Sequence, residues 1–279
     1  MPELPEVQAH AERLTSAFAG AELAAFTPLS FTALKTALPR PDDAVGHALG
    51  RVDRRGKFLL LRFDGAPTFV VHLMQGGRLV PDDKQSRRPR NGLARWTFAD
   101  GRALLLTEAG TERKAGVWVL DGDPLTQPPL DELGVDAHEA TLEQLTEALA
   151  AKNQRLHGFL RDQHGVAGLG RMLANEICHA AKLSPFAMTA KLTDDEVRRL
   201  HEAMRATIAS ALEHERTLDA MSKSADRPGS VHRRAGDPCP VCGDVIRAVE
   251  YSAYEVDYCP TCQTDGKVLA DNTTSKFLK

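Results

Sequence analysis

The chain begins MPELPEV, with Pro2 directly behind the initiator and carboxylates at Glu3 and Glu6. A small residue after Met lets the initiator be clipped, which leaves Pro2 as a free secondary amine with an acid beside it. An α-amine with a pKa of about 8 is a competent nucleophile. The same residues also suit a helix start, where proline's fixed φ costs nothing and acids favour the helix dipole. At the other end, CPVC (239–242) and CPTC (259–262) form C-x2-C-x16-C-x2-C. Four thiolates at this spacing suit a closed tetrahedral site, so Cys239, Cys242, Cys259 and Cys262 are read as ligands of one structural Zn2+. Four protein ligands leave no open position for catalysis. Cys178 sits in an apolar helical context and reads as a small buried hydrophobe.

A third stretch, LHGFLRDQHGVAGLGRMLANEICHAAKLSP (156–185), carries G-L-G just ahead of a helical pattern. Glycines there let a backbone approach closely, and helix N-terminal amides favour phosphate. Gly168 and Gly170 are therefore candidate backbone contacts, and Arg171 adds a cation where a phosphate would lie. A plain tight turn between helices is the competing reading.

These residues need elements to position them. Val7, Ala11, Leu14 and Phe18 recur at helical spacing, predicting a helix over 3–19 that Gly20 can end. Short β-like runs follow at 59–63, 68–73, 94–98, 103–107 and 116–120, which predicts a sandwich or barrel. Pro, Gly and acids mark a linker at 121–134. Helical periodicity fills 141–215, DRPGS closes it at 226–230, and the Cys pairs come last, with a hairpin predicted between them. The order is helix, strands, helices, metal module.

The 279 residues are 42% hydrophobic, enough for about two domains with their own cores. No apolar run reaches the roughly 18 residues of a membrane span, and the first twenty residues carry acids and no signal-like core. A net charge of −3 argues weakly against a nucleic-acid partner, but the cations are clustered. Arg51, Arg54, Arg55 and Lys57 form one run; Arg87, Arg88, Arg90 and Arg95 form another; Arg233 and Arg234 precede the first Cys pair. Each run is a solvated face or a binding surface.

Taken in order, MPELPEV, RRGKFLLL, DQHGVAGLGRMLANE and the Cys pairs resemble the formamidopyrimidine-DNA glycosylase/endonuclease VIII family of base-excision repair enzymes. The resemblance runs from residue 1 to about 263. It implies an α+β protein: an N-terminal β-sandwich carrying a helix (1–124), a helix–two-turns–helix domain (135–225), a four-cysteine zinc finger (231–265) and a tail (266–279). It implies a monomer that binds damaged DNA without a membrane, in the cytoplasm at a bacterial-type nucleoid. By the resemblance, Pro2 is the nucleophile at C1′ of a flipped nucleotide. Glu3 is the acid that opens the sugar, and Glu6 orders the amine. Lys57 and His72 take phosphate-gripping positions. Abasic-site nicking by β- and δ-elimination follows.

The departures are as informative. Arg171 replaces a phosphate-contacting Asn of G-[IL]-G-N-[IL]-Y. Tyr254 occupies the place of a finger arginine, a loss worth about 1.5–3 kcal/mol if not offset. Arg171 is the candidate to offset it. The side chains that fill the void behind a flipped base are also altered: Gln75 stands where Met is expected, Met74 is one residue early, and Ala115 replaces a wedge Phe behind Arg113 and Lys114. These changes predict that abasic-site lyase activity exceeds 8-oxoguanine excision. They also keep open a non-catalytic relative that only binds damaged or distorted DNA.

Overall fold

The structure is a computed structural model that describes residues 1–110, 113–223, 226–251 and 254–269. The chain divides into two compact units. The first comprises Met1–Glu132 with Leu218–Ser224; the second comprises Leu133–Thr217 with the chain from Ala225 onward.

In the first unit, α1 spans Leu4–Phe18 and is followed by β1 (Leu23–Pro28), β2 (Leu49–Arg55), β3 (Phe58–Phe63), β4 (Thr68–His72), β5 (Gly77–Pro81), β6 (Gly92–Phe98), β7 (Ala103–Glu108) and β8 (Gly116–Leu120). They form two four-stranded sheets, β1-β6-β7-β5 and β2-β3-β4-β8. Apolar residues of both sheets and the predicted α1 stripe (Val7, Ala11, Leu14, Phe18) share one buried cluster. Phe69 of one sheet contacts Phe26 and Trp96 of the other, with centroids 5.3 and 5.8 Å away. The sandwich reading therefore prevails over the barrel. β1, β2 and β5 were not legible as strands: LGRVDRR alternates too weakly, and Gly77 and Pro81 interrupt GRLVP. The segment 218–224, predicted within the helical domain, packs with this first unit, where Arg13 donates to the Leu218 carbonyl at 3.2 Å.

Two basic runs have local partners. Arg51 and Arg62 both bond Asp53, and Arg54 donates to Gln8 Oε1 at 2.9 Å. Arg95 is buried against Asp82 at 2.8 Å. Arg87, Arg88 and Arg90 stay on the surface.

In the second unit, β9 (Val135–Asp136) pairs in parallel with β10 (Val166–Ala167), and the helices are α2 (Leu142–Ala151), α3 (Leu156–Arg161), α4 (Arg171–Ala180) and α5 (Asp194–Arg216). Thr141 and Thr193 cap α2 and α5, each accepting the backbone N–H three residues on. The predicted hairpin between the cysteine pairs is β11 (Arg247–Glu250) against β12 (Glu255–Tyr258), followed by the short α6 (Pro260–Thr264). Cys178 is fully buried, and burial drives its thiol pKa far up. Of the predicted tail, residues 270–279 lie outside the described part.

Candidate functional site

Pro2 is buried at the head of α1. Glu3 is the N-cap, and Glu6, one turn on, accepts its backbone N–H at 2.5 Å. The two carboxylates complete a reciprocal box around the helix start, and both are buried. Placing two acids there costs desolvation that an ordinary helix cap on the surface avoids. Met1, at this end, lines a cavity of about 320 Å³ together with Met74, Gln75, Gly76, Glu108 and Lys114. The sequence motif at the terminus and the loop after β4 thus share one space, although more than seventy residues separate them.

That loop is shaped by close backbone approaches. A Cβ on Gly76 would sit 2.4 Å from the Ala109 carbonyl, and one on Gly77 would sit 2.0 Å from that of Leu73. Met74 has φ 52 and packs its half-buried side chain on the core, whereas Gln75 is exposed. On the facing loop, Arg113 and Lys114 are exposed, with Arg113 at φ 44. Ala115 is 1% exposed and donates its N–H to the buried Glu108 carboxylate at 2.7 Å. It belongs to the core.

Lys57 and His72 come together across β2, β3 and β4. Gly56 (φ 56) begins the two-residue turn of the β2–β3 hairpin, which leaves Lys57 next to Phe58, and Phe58 pairs in register with His72. The two rings are 4.5 Å apart. Burial, and then the Lys57 charge, push the His72 pKa down to about 4. The ring is neutral at pH 7. Its Nδ1 accepts the Met74 N–H at 3.1 Å, so the proton sits on Nε2, ready to donate. The residue predicted to grip phosphate is a neutral donor and not a cation.

In the second unit, the glycine turn is braced by a residue that the motif reading passed over. Gln163 Oε1 accepts the Gly168 N–H at 3.0 Å, and its Nε2 donates to the Leu169 carbonyl at 2.8 Å. Gly168 (φ 106) and Gly170 are both buried. With the Gly168 amide committed to Gln163, that glycine shapes the turn and does not offer its N–H. Arg171, half-exposed, opens α4. The only local signal for Gln163 was its place two residues after α3.

At the cysteine module, Cys239 Sγ lies 3.9 Å from Cys262 Sγ, and Cys242 Sγ lies 3.3 Å from Cys259 Sγ. The edges of a tetrahedron with Zn–S bonds near 2.3 Å measure about 3.8 Å, and the two pairs approach that separation, as ligands of one zinc ion would. Burial opposes ionisation of Cys239, but the N–H groups of Cys242 and Val241 and the His179 ring outweigh it and hold the thiol at about 6. His179, from the last turn of α4, brings Nε2 to 3.3 Å from Cys239 Sγ and clusters with Cys239, Cys259 and Cys262, their ligand atoms all within 4.8 Å of one another. The spacing rule could not find it, because it comes from sixty residues upstream. Beside it, Glu176 gathers the N–H groups of Ser230, Val231 and His232 at 2.7–3.0 Å and ties α4 to the approach of the finger.

Residues 1–117 match the formamidopyrimidine-DNA glycosylase N-terminal domain, 133–222 its H2TH domain, and 236–264 the zinc finger found in FPG and IleRS. The formamidopyrimidine-DNA glycosylase of Chloroflexus aurantiacus is 31% identical over 278 residues, covering 94% of this chain and 98% of its own. The chain belongs to the formamidopyrimidine-DNA glycosylase family. An uncharacterized formamidopyrimidine-DNA glycosylase-like protein of Mycobacterium tuberculosis is 42% identical over 149 residues, which is 53% of this chain and 94% of that one. Among solved structures, the MutM (FPG) protein of Thermus thermophilus aligns with a TM-score of 0.79 at 27% identity, covering 94% of this chain and 98% of its own. Lactococcus lactis Fpg, solved with DNA containing an abasic site, shares the fold at TM-score 0.80 and 20% identity, over 94% of this chain and 99% of its own. Among the described residues, no helix is long and apolar enough to cross a membrane.

Proposed function

We propose that this chain is a base-excision DNA glycosylase and abasic-site lyase acting through the amine of Pro2. The observation that carries the reading is Met1 lining the cavity at the helix start that buries Glu3 and Glu6: clipping Met1 opens that space next to the Pro2 nitrogen. The amine attacks C1′, an N–C1′ bond forms, and the C1′–base bond breaks with the electron pair leaving on the base, which takes up the proton released from the Pro2 nitrogen. Glu3 gives a proton to O4′ as the sugar ring opens, which leaves a cationic iminium on Pro2. A secondary amine makes this adduct cationic at any pH, so it draws the electrons of the C2′–H bond, whose proton passes to water, as the 3′ phosphate leaves. The same sink serves the 5′ phosphate in δ-elimination. Glu6, bonded to the Glu3 N–H, fixes the geometry of the turn that carries the nucleophile.

Lys57 and the Nε2–H of His72 suit the phosphates flanking the lesion, one as a charge and one as a neutral donor. With Met74 packed on the core and Ala115 buried, Gln75 is the side chain that reaches into the gap behind a flipped base, flanked by Arg113 and Lys114. A short polar amide fills such a gap less completely than a Met and a Phe together. This supports a preference for lesions that stack weakly, abasic sites before 8-oxoguanine. Arg171 supplies a cation at the helix–turn–helix phosphate position. One zinc ion, held by Cys239, Cys242, Cys259 and Cys262, keeps the finger folded; the protein acts as a monomer on damaged DNA, in a nucleoid-type cytoplasmic setting.

Borohydride trapping on duplexes with an abasic site or 8-oxoguanine tests this. The expected result is a covalent adduct with abasic DNA, formed faster than with 8-oxoguanine and absent in Pro2→Gly. Buried Ala115 favours the second reading, a non-catalytic binder of distorted DNA. That reading predicts binding to the abasic duplex with no adduct.

A further inference from the structure

Tyr254 gives the finger hairpin a ring where the family resemblance implies an arginine, and the structure shows what that ring holds. It stacks on Tyr251 with centroids 4.7 Å apart and planes 11° from parallel, and it lies 6.4 Å from His157 at 16°. Arg161, the last residue of α3, places its guanidinium carbon 4.4 Å from the centroid of Tyr254. Arg155 donates to the Tyr251 hydroxyl at 3.2 Å. A stack of three rings thus joins α3 to the hairpin, with an arginine on each tyrosine.

Nearby acids do not neutralise Arg161. Glu250 and Glu255 face each other one rung below the tyrosines, and neither pairs with it. Asp162 lies 3.9 Å from Lys152, and Asp257 is taken up by His232, Asn175 and the Arg233 N–H. Among the described residues Arg161 makes no ion pair, and it is half-exposed. Its charge reaches His157 together with those of His232 and Arg171, and with burial, the largest cause, they hold the His157 pKa at about 3. The stack therefore has a neutral ring at its root and cations around it.

We propose that Arg161, seated on Tyr254, is a DNA-phosphate contact of this chain, supplying from α3 a cation where position 254 itself carries none. A guanidinium lying on a ring keeps its edge N–H groups for an oxyanion, which it meets with two parallel bonds. The ring also fixes the side chain before binding, so less rotamer freedom is lost on DNA. Arg171 and Arg161 then act as a pair, one at each end of the turn between α3 and α4.

This inference rests on the DNA-repair reading, and the test separates the two. Binding to a duplex with a tetrahydrofuran abasic analogue is measured between 50 and 300 mM salt, on full-length zinc-loaded protein. Arg161→Ala should weaken binding about tenfold and flatten the slope of log K against log salt by about one. Arg161→Lys should keep the slope while binding less tightly. Tyr254→Leu should lose part of the affinity, Tyr254→Phe should restore it, and Arg161→Ala/Tyr254→Leu should be no weaker than Arg161→Ala alone. A wild-type slope in Arg161→Ala overturns the proposal, as does weaker binding at an unchanged slope, which marks a structural loss only. If the wild type neither binds nor traps abasic DNA, the functional reading falls and takes this inference with it.

Discussion

The sandwich and the zinc finger solve the same problem at opposite scales. In the sandwich, α1 and eight strands close over a continuous apolar cluster in which Trp96, Phe69, Leu59 and Leu61 are fully buried. The buried cluster of the finger is Val231, Cys239, Ile246 and Cys259, with Cys262 packed against it. Three of those five are metal ligands. One region is held by surface removed from water, the other by coordinate bonds. The proposed nucleophile, Pro2, belongs to the first, where the chemistry would need rigid side-chain placement. The second carries a hairpin whose tyrosines need only be presented.

The largest effect that can break this contrast is zinc removal. A chelator should abolish hydrogen-exchange protection across 236–264 while the strands of the sandwich keep theirs, because such sites contribute about 10–16 kcal/mol of folding free energy. Protection surviving in the finger without metal would mean that its core is sufficient. Next comes Leu61→Ala, which empties part of the sandwich core and should cost about 3–4 kcal/mol in urea unfolding while leaving bound zinc unchanged.

Acid should act through histidines in both units. His10, bonded to the Leu79 carbonyl at 2.7 Å, is held at about 4 by burial, and His157 at about 3. Both lie below the ordinary 6.5, so the unfolded chain takes up their protons first. Stability is whole above pH 6.5 and falls as pH drops towards 4, by roughly 2–3 kcal/mol for each buried ring. His157→Phe should flatten this fall in a Tm-against-pH series; an unchanged profile removes His157 as a cause. The smallest expected effect is at His179. Because its ring bonds Cys239, His179→Ala should speed zinc loss to a colorimetric chelator about tenfold, with the fold intact.

Much of the molecule was legible locally. The α1 stripe, the five stronger strands and the hairpin between the cysteine pairs all follow from periodicity or spacing over a few residues. Strands β1, β2 and β5 were not, since half-buried edge residues and glycines erase the alternation. Ala115 was legible as a missing wedge but not as a core residue. Its backbone N–H bonds Glu108, seven positions away on the other side of a loop.

By itself, the sequence determined the acidic, proline-led terminus, the four thiolates and the order of the parts, because each is a matter of residue type at short separation. Only the tertiary structure decided that Met1 shares a cavity with the loop after β4, that His72 is a neutral donor, that His179 reaches Cys239, and that Arg161 lies on Tyr254. Those pairings join residues sixty or more apart, or depend on how far water is excluded. Packing sets both, and no local pattern encodes them.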